Sequence, residues 1–580
     1  MGFWAQLKTR LKLYRIVAAM LFVFLSLSWS AWAADDTQAL RQQMEAMKQQ
    51  MEDLQKKLDQ TEAHTAKQAE ASQQIEERLD QAELHTATDK VSFGVELRSR
   101  AESIHYQDIR IAPASFTNLF FVPYTGLPGG GFNGGTLSQL QSSMAGLVAA
   151  GMIPPAEKVD ADNDIIYTNR LRLEMKARVN SQLTFGGRLA AYKVFGDSTG
   201  VEVNQGSLGD VTFDGNTSSL PHGDTIRLER AFFNYAFDTE TVPVNLSVGR
   251  RPSTEGPPLE YRNNSMEGGS PMATIINWQF DGASLTFGLE DVTSIPGAAV
   301  KLCYGVGFEG DWGNNSSLAS SQPEVDDVHM YGVITDLYDD EVTSAVVTYA
   351  HASGITDGFT GLTVMPFIVS IQDSDGNGSA DNYVFEPNTG GYISRIEPMT
   401  EIGDWDAASL LLRTNLKEKV ADVDLFLAGS WSHTDPSNIS RNPYYQIMGM
   451  GLLSSNGDLE PHDGYSVYTG IVFNMPWNAR LGLEYNWGSE YWFNMTGAED
   501  SLVGSKLAAR GQVWEAYWHQ QIFKDNFFIT LGGQYYDYDY TGSGNPLGAP
   551  VKISDVTALD SSNAVVDKVW LAYLSATLRF

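Results

Sequence analysis

The sequence is poor in cysteine, in positive charge and in long apolar runs. Its 580 residues include a single cysteine, Cys303, which excludes an internal disulfide framework and any metal site built from several cysteines. With 39 basic against 71 acidic residues, the formal net charge is −32. A chain this acidic lacks the cations that phosphate binding requires, so no nucleic acid is expected among its partners.

Motifs of catalysis and of electron transfer are also missing. The sequence has no CxxCH haem-attachment motif, no HExxH motif and no serine elbow, and its 9 histidines are scattered. The sequence does not exclude a catalytic triad assembled from separate strands, to which His329, His351 or His519 on predicted strands could contribute. A histidine that is simply a polar residue of the barrel wall is the commoner case. We therefore expect no enzyme and no resident cofactor, apart from the calcium considered below.

After residue 33, no segment approaches the 18 uninterrupted apolar residues of a membrane-spanning helix. The N-terminus carries basic residues, then the apolar run IVAAMLFVFLSLSWS, then the small residues AWAA, which is the order of a secretory signal peptide. We predict a signal peptide over 1–33, with cleavage after Ala33. Its removal takes away four positive charges and no acidic residue, so the formal charge falls from −32 to −36. An uncleaved membrane anchor is the alternative.

The segment 37–85 contains neither glycine nor proline. Its apolar residues alternate between spacings of four and three, turn polar after Leu58, and recover the same register at Ile75, which is typical of a coiled-coil seam. We therefore assign 34–88 to a periplasmic α-helical coiled coil, through which the chain would form a homotrimer. A single solvated helix or a flexible tether is the alternative. The first part of the seam consists of Leu40, Met44, Met47, Met51, Leu54 and Leu58.

From Val91 onward, short runs alternate apolar and polar side chains, as strands with two different faces do. Short polar turns alternate with loops of roughly 15 to 55 residues, which is the pattern of an outer-membrane barrel. We therefore predict an all-β fold over 89–580, a transmembrane antiparallel β-barrel of about 16 strands. The even count requires 273–290 to be one long strand with a bulge at Asp281-Gly282. A soluble β-helix is the rival fold, but no short repeat is present.

The chain ends on VWLAYLSATLRF, a strand that finishes on an aromatic residue. This last strand would close the barrel, and Phe580 resembles the C-terminal signal that the outer-membrane barrel assembly machinery recognises. That machinery and the outer-membrane lipids are the expected partners. Aromatic residues near predicted strand ends would form an interfacial girdle. They are Tyr485, Trp487, Tyr491, Trp492, Trp514, Tyr517, Trp518, Tyr535 and Tyr536.

Several stretches resemble a known family, the outer-membrane proteins with domain of unknown function 3373. They are NDIIYTNRLRLEMKARVNSQLTFGGRLAAYKVFGDS, DTIRLERAFFNYAF, GRRPSTEGPPLEYR, FDGASLTF and KLCYGVGFE, which together cover about 165–310. The resemblance implies a porin-like barrel and brings no established substrate. The coil-plus-barrel plan is also similar to that of trimeric phosphate- and sugar-selective porins, by analogy only.

Arginines cluster on neighbouring predicted strands of a chain that is otherwise short of cations. A lipid-facing arginine near mid-depth costs about 2–4 kcal/mol, so these side chains are predicted to line the pore. One basic wall opposite acidic ones would give a transverse field that biases ion flow. Alternatively, Glu174, Glu229 and Glu260 neutralise the arginines and merely fill the interior. The candidates are Arg170, Arg172, Arg178, Arg188, Arg227, Arg250 and Arg251; the strand parity slips near Arg230, which is left unplaced.

Two long loops carry further signals. In the first, Leu137, Leu140, Met144, Leu147 and Val148 have helical spacing, so a short helix could constrict the pore, cover a neighbouring protomer, or belong to a mobile surface loop. In the other, DSDGNGSADN resembles a calcium loop, but Val384 occupies the position of the bidentate acid. A solvated turn is the alternative. The candidate ligands are Asp373, Asp375, Asn377 and Asp381.

Taken together, the sequence predicts a channel for passive diffusion of small hydrophilic solutes or ions. It would lie in the outer membrane of a Gram-negative bacterium, with the coiled coil in the periplasm. One alternative is a structural barrel whose coil spaces or tethers the envelope. Another is a barrel that sheathes a separate redox partner.

Overall fold

The fold comes from a computed structural model. The predicted signal peptide over 1–33 and coiled coil over 34–88 lie outside the described residues. Among the residues that are described, no helix is long and apolar enough to cross a membrane. The described residues are 91–113, 134–195, 226–239, 241–265, 268–308, 325–357, 361–363, 367–376, 381–387, 394–396, 400–418, 420–440, 453, 458–496, 501–524, 526–545, 548–561 and 564–580.

Sixteen antiparallel strands form one closed barrel, in which each strand pairs with the next along the chain and the last pairs with the first. The predicted fold class and strand number are therefore confirmed for this part of the chain. The strands are β1 (Val91–Ile111), β2 (Glu157–Arg178), β3 (Leu183–Val194), β4 (Ile226–Phe237), β5 (Val244–Arg250), β6 (Asp281–Gly288), β7 (Ala299–Phe308), β8 (Val328–Asp339), β9 (Thr343–Thr356), β10 (Glu401–Asn415), β11 (Val423–Pro436), β12 (His462–Met475), β13 (Ala479–Gly488), β14 (Gly511–Phe523), β15 (Phe527–Tyr538) and β16 (Lys568–Arg579).

The C-terminal residue completes the closure. The Val95 N–H donates a hydrogen bond to the Phe580 carbonyl at 2.7 Å, and the Phe580 N–H donates to the Val95 carbonyl at 3.0 Å. The Phe580 side chain is 71% exposed. The final strand thus closes the barrel as predicted, while recognition of Phe580 by the assembly machinery stays a prediction.

Short connections lie at one end of the barrel, the turn end, and long ones at the other, the loop end, as the sequence predicts. The first long loop contains the predicted helix, α1 (Leu137–Ala149), which begins at a capping box formed by Thr136 and Gln139. Two one-turn helices follow, α2 (Glu260–Asn263) and α3 (Glu290–Thr293), with 3₁₀ turns at Lys506–Ala508 and Ile553–Asp555. Short strands outside the barrel are Gly134–Gly135, Ile276–Asn277, Gly361–Thr363, Phe367–Gln372, Asn382–Pro387, Ser394–Ile396 and Met495–Thr496.

The predicted long strand over 273–290 is wrong. Only its second half belongs to the barrel, as β6, which begins at Asp281. Residues 271–280 are all buried and leave the barrel wall. Their apolar character arises because they pack inside the bore with every side covered, and this mimics the pattern of a strand. The even strand count survives because these residues do not pair as a barrel strand.

Strand parity separates an apolar outer face from a mixed inner face. On β2, Leu171 is exposed while Arg170 and Arg172 are buried, and on β11, Leu427 is exposed while Phe426 and Ala428 are buried. This alternation places the apolar face outside and Arg170 and Arg172 inside, while the lining of a pore by the candidate arginines stays a prediction.

The predicted aromatic girdle holds in part. Trp514 and Tyr535 face outward near the loop end and lie opposite each other in the strand register. Tyr517 and Tyr536 have the opposite parity and are buried in the bore, and Trp492 is buried in a loop. These three were wrongly assigned because their position near strand ends says nothing about which face they occupy.

The core of the protein lies inside the barrel. Inward side chains are buried on strands all round the wall, for example Ala190, Ala350, Leu411, Tyr468 and Leu571. In a water-filled bore such side chains would be accessible to solvent. Where these inward side chains lie, therefore, the bore is filled by other parts of the chain.

Candidate functional site

Two long loops at the loop end fold into the bore. The inserted segment, described over 251–265 and 268–280, connects β5 to β6, and the second inserted segment, described over 489–496 and 501–510, connects β13 to β14. They meet at a short parallel pairing of Ile276–Asn277 with Met495–Thr496. The Asn494 side-chain amide also donates hydrogen bonds to the Thr274 carbonyl, at 2.8 Å, and to the Leu507 carbonyl, at 2.9 Å. The two segments therefore fill the bore as one packed unit.

The inserted segment doubles back on itself. A Cβ atom built on Gly256 would lie 1.8 Å from the Pro271 carbonyl oxygen, so only glycine permits this approach of the two arms. The Ser253 hydroxyl donates to the Trp278 carbonyl, and the Glu255 N–H donates to the Asn277 side-chain oxygen at 2.8 Å. These contacts give the loop a fixed shape and present the Glu255 side chain to the barrel wall.

Four arginines, here called the basic wall, surround the Glu255 carboxylate. They project into the bore from β2, β3 and β4, and their nitrogen atoms lie 2.8 Å (Arg172), 3.1 Å (Arg188), 3.6 Å (Arg170) and 3.7 Å (Arg230) from its oxygens. Burial alone would raise the pKa of Glu255, but these guanidinium groups hold that pKa well below its usual range. Glu255 is therefore an anion bound by the basic wall.

The basic wall has further acidic partners. Glu229 lies 3.1 Å from Arg172 and 3.3 Å from Arg188, Glu96 lies 2.5 Å from Arg170, and Glu174 pairs with Arg188. The expected neutralisation by Glu174 and Glu229 is thus present. The third expected partner, Glu260, is not there, because it pairs with Arg413 on β10 at 2.5 Å.

The remaining candidate arginines are dispersed. Arg250 is buried and pairs with Asp281 at 2.8 Å, whereas Arg227 and Arg251 are half-buried. Arg178, at the last position of β2, keeps the inward parity of Arg170 and Arg172 and is exposed at the turn end, so its place in the pore lining stays a prediction. The parity slip near Arg230 comes from a β-bulge, because the register between β3 and β4 skips Glu229 and leaves both Glu229 and Arg230 buried.

Elsewhere on the inner face of the barrel, two buried glutamates form an acidic wall. Glu484 on β13 and Glu515 on β14 both bind the ammonium group of Lys506, at 2.5 Å in the case of Glu515, and Glu515 also lies 3.1 Å from Arg262. Tyrosine hydroxyls complete their hydrogen bonds: Tyr468 and Tyr517 donate to Glu484 at 2.6 and 2.8 Å, and Tyr573 donates to Glu515 at 2.9 Å.

Sequence reasoning missed this acidic wall. One signal was available: Glu484 and Glu515 stand in the polar parity of otherwise apolar strands, in LGLEYNW and VWEAYWH. Their partner Lys506 lies in a loop whose entry into the bore no local pattern indicates.

The inserted segment contacts both walls. It presents the acidic Glu255 to the basic wall and, in the one-turn helix α2, the basic Arg262 to the acidic wall. The Arg579 guanidinium from β16 donates to the Asn264 carbonyl at 2.7 Å and pairs with Glu96. Glu255 and Arg262 thus each meet charges of the opposite sign, which favours this orientation of the segment.

The three histidines considered for catalysis lie apart. His519 is buried in the bore, with its ring nitrogens 2.8 Å from the Thr530 hydroxyl and 3.3 Å from the Tyr261 carbonyl. His351 contacts Asp406 at 2.9 Å and His329 contacts the Tyr304 hydroxyl at 3.0 Å, both from the outward face. They do not share a site.

The predicted calcium loop brings three of its four residues together. The carboxylates of Asp373, Asp375 and Asp381 are exposed and lie within 4.8 Å of one another, while Asn377 lies outside the described residues. Two of them also bind the backbone: the Gly376 N–H donates to Asp373 and the Ser374 N–H donates to Asp381, both at 2.7 Å. The arrangement suits either a cation or a self-satisfied turn.

Comparisons with known proteins give one family and several structures. A family model described as "Protein of unknown function (DUF3373)" matches residues 160–580. No curated protein matches the sequence. Among solved structures, OprB of Pseudomonas putida, at high pH, is similar with 10% identity and a TM-score of 0.38, over 85% of this chain and 94% of that one. OmpT, an outer membrane protein of Vibrio cholerae, has 9% identity and a TM-score of 0.36, over 84% and 97%. OmpF of Salmonella typhi, in complex with daunomycin, has 10% identity and a TM-score of 0.35, over 84% and 97%.

Proposed function

Because this chain belongs to the DUF3373 family of proteins of unknown function, we propose its function from its own geometry: it is a porin-like outer-membrane channel. It passes small hydrophilic solutes or ions by passive diffusion, and its two inserted segments restrict the passage. No chemical reaction is part of this proposal.

The outer face supports the membrane location. A closed barrel leaves no strand edge with unpaired amides, which is what a bilayer requires of strands. Apolar side chains such as Leu302, Leu427, Leu531 and Leu574 are exposed on this face, with tryptophan and tyrosine toward the loop end. Long loops would then face outward from the cell and short turns would face the periplasm.

The single observation that favours a channel over an inert barrel is the number of ionisable groups in the bore. Buried ion pairs cost desolvation, and apolar side chains of similar volume would fill a purely structural barrel at equal or lower cost. Ionisable groups at membrane depth are typical of solute and ion pathways. The buried ionisable side chains of the barrel and its inserted segments include Arg100, Glu102, Arg170, Arg172, Arg188, Glu229, Arg230, Arg250, Arg262, Glu484, Lys506, Arg510, Glu515 and His519.

The bore is more accessible toward the turn end. Arg480 is exposed there, and Lys301 and Asp424 are half-buried. A solute from the periplasmic side would therefore reach the inserted segment from a charged vestibule. The restriction lies beyond this vestibule, where Glu255 and Arg262 connect the two walls.

Purified protein in a planar bilayer is expected to give discrete conductance steps. In a variant with Arg170→Ala and Arg172→Ala, we expect a lower anion-over-cation permeability ratio, because two cations of the basic wall are gone while their acidic partners remain. The measurement is the reversal potential in a salt gradient. Lys417→Ala, which removes an exposed lysine from the turn between β10 and β11, is the matched control.

A silent barrel would contradict the channel. An unchanged reversal potential in the arginine variant would mean that these side chains are paired and inert toward ions. The packed bore favours one alternative, a structural envelope barrel, and that barrel would give no steps. The other alternative, a sheath for a redox partner, needs an empty bore, which the inserted segments occupy in the described part of the chain.

The aspartate loop is a separate and weaker proposal. We expect it to bind calcium with a dissociation constant of about 10⁻⁴–10⁻³ M, the range of extracellular modules, because its bidentate acid is missing. Isothermal titration should detect this binding in the parent and lose it in Asp373→Ala and Asp375→Ala. Asp555→Ala, in another exposed loop, is the control. Equal heats in all proteins would leave the loop as an ordinary turn.

A further inference from the structure

The Glu255 carboxylate occupies a position that would suit a free anion. It comes from a loop, not from the barrel wall, and it is held between guanidinium groups from three neighbouring strands. Arginine presents its N–H groups in a planar fork that matches carboxylate and phosphate oxygens. The basic wall therefore has the composition of an oxyanion site whose present occupant belongs to the protein itself.

Charge balance limits how the inserted segment can move. If Glu255 leaves, the four arginines of the basic wall keep Glu96, Glu174 and Glu229 as acidic partners, so positive charge is left in excess. Removing one partner of a buried ion pair leaves an uncompensated charge and is strongly unfavourable. An anion that enters as Glu255 leaves removes this penalty. Opening of the bore is thus coupled to the arrival of negative charge.

The wall also offers a hydrogen-bond donor that Glu255 does not use. Tyr192 on β3 lies opposite Arg170 in the strand register. Its side chain is buried, and its hydroxyl has no hydrogen-bond partner among the described residues. A buried hydroxyl without a partner is unfavourable, because it has lost its hydrogen bonds to water. A ligand with more oxygens than a carboxylate, such as a phosphate group, could satisfy it.

We propose that the basic wall together with Tyr192 is a binding site for a small phosphate-bearing solute, and that Glu255 is its built-in competitor. When the phosphate oxygens replace the Glu255 carboxylate on the arginines, the inserted segment loses its hold on that wall and the passage widens. This inference rests on the proposed channel function for its gating part, while the binding part stands without it.

Isothermal titration of the detergent-solubilised protein with inorganic phosphate tests the binding. The parent should bind weakly, because part of the phosphate affinity is spent on displacing Glu255. Glu255→Gln removes the competing charge and should bind at least about tenfold more tightly, as expected when the competent state becomes dominant. Glu418→Gln, an exposed turn residue, is the matched control and should behave as the parent.

A second variant tests the site independently, so that the test does not depend on correct folding of Glu255→Gln. Tyr192→Phe keeps every charge and should weaken phosphate binding several-fold, because one donor is lost. Heat-modifiable electrophoretic mobility reports whether each barrel is closed. Equal phosphate affinity in the parent, Glu255→Gln and Tyr192→Phe would overturn the site, and so would the absence of binding in all three.

Bilayer recordings separate this inference from the channel itself. Phosphate added to the parent should raise the open probability above that in chloride alone, whereas Glu255→Gln should already be open and should not respond. If the parent gives conductance steps whose open probability does not change with phosphate, the proposed gating is wrong and the proposed channel is not affected. Phosphate binding with no steps in any protein would overturn the channel and the gating and leave the binding site.

Discussion

Replacing Lys506 by methionine is expected to destabilise the folded barrel by about 3–5 kcal/mol, because two buried carboxylates lose a shared cation. Lys506 is 1% exposed and binds both Glu484 and Glu515. Arg262 still pairs with Glu515 in the variant, whereas the donors left to Glu484 among the described residues are the hydroxyls of Tyr468 and Tyr517. Urea unfolding in lipid vesicles, followed by tryptophan fluorescence, measures the loss.

Two further variants identify the cause. Lys417→Met removes an exposed lysine that pairs with Asp422 at 3.1 Å, and it should cost less than about 1 kcal/mol. Adding Glu484→Gln to Lys506→Met removes the stranded charge and should recover part of the stability. If Lys506→Met unfolds at the same urea concentration as the parent, water reaches the acidic wall and the bore is not packed there.

The alternation of apolar and polar residues along the sequence predicts most of the barrel strands and the faces of their side chains. It placed Leu171 outside and Arg172 inside correctly, because one face of each strand must be apolar to meet lipid while the other need not be. It failed at Arg230, since a bulge inserts one residue and reverses the parity beyond it. No local pattern distinguishes such a bulge from the end of a strand.

The contents of the bore could not be predicted in the same way. The segment that contains Ile276 and Trp278 is apolar, and its composition predicts a strand, because burial inside a barrel and burial in a sheet produce the same composition. The basic wall was predicted from adjacent arginines. Its occupant Glu255 was not, because a loop residue reaches that wall only through the fold of the whole inserted segment.

The two walls explain why this segment lies across the bore and not above it. An acidic residue and a basic residue, Glu255 and Arg262, are close in sequence, but the first meets the basic wall and the second meets the acidic wall. Reversing the segment would bring like charges together at both ends, and each contact would then be repulsive in a low-dielectric interior. The ion pairs therefore fix the direction of the insertion, while the apolar residues that follow supply most of the burial.

Gly256→Ala is expected to displace the inserted segment and to enlarge the conductance steps. The new methyl group would lie 1.8 Å from the Pro271 carbonyl oxygen, a backbone atom that cannot rotate away. Separating the two arms should cost at least about 3 kcal/mol, the upper part of the range for overpacked interiors. Because Glu255 directly precedes this glycine, the shift also pulls its carboxylate from the basic wall.

The matched control is Gly429→Ala, the same change on β11, where an added Cβ atom would have no neighbour within 4 Å. It should leave both conductance and urea unfolding as in the parent. A Gly256→Ala protein with parental conductance would mean that the inserted segment does not restrict the passage. A destabilised protein with parental conductance would mean the same, since the arms would have separated without opening a path. Only larger steps together with lower stability identify the segment as the restriction, because both then follow from one displaced loop.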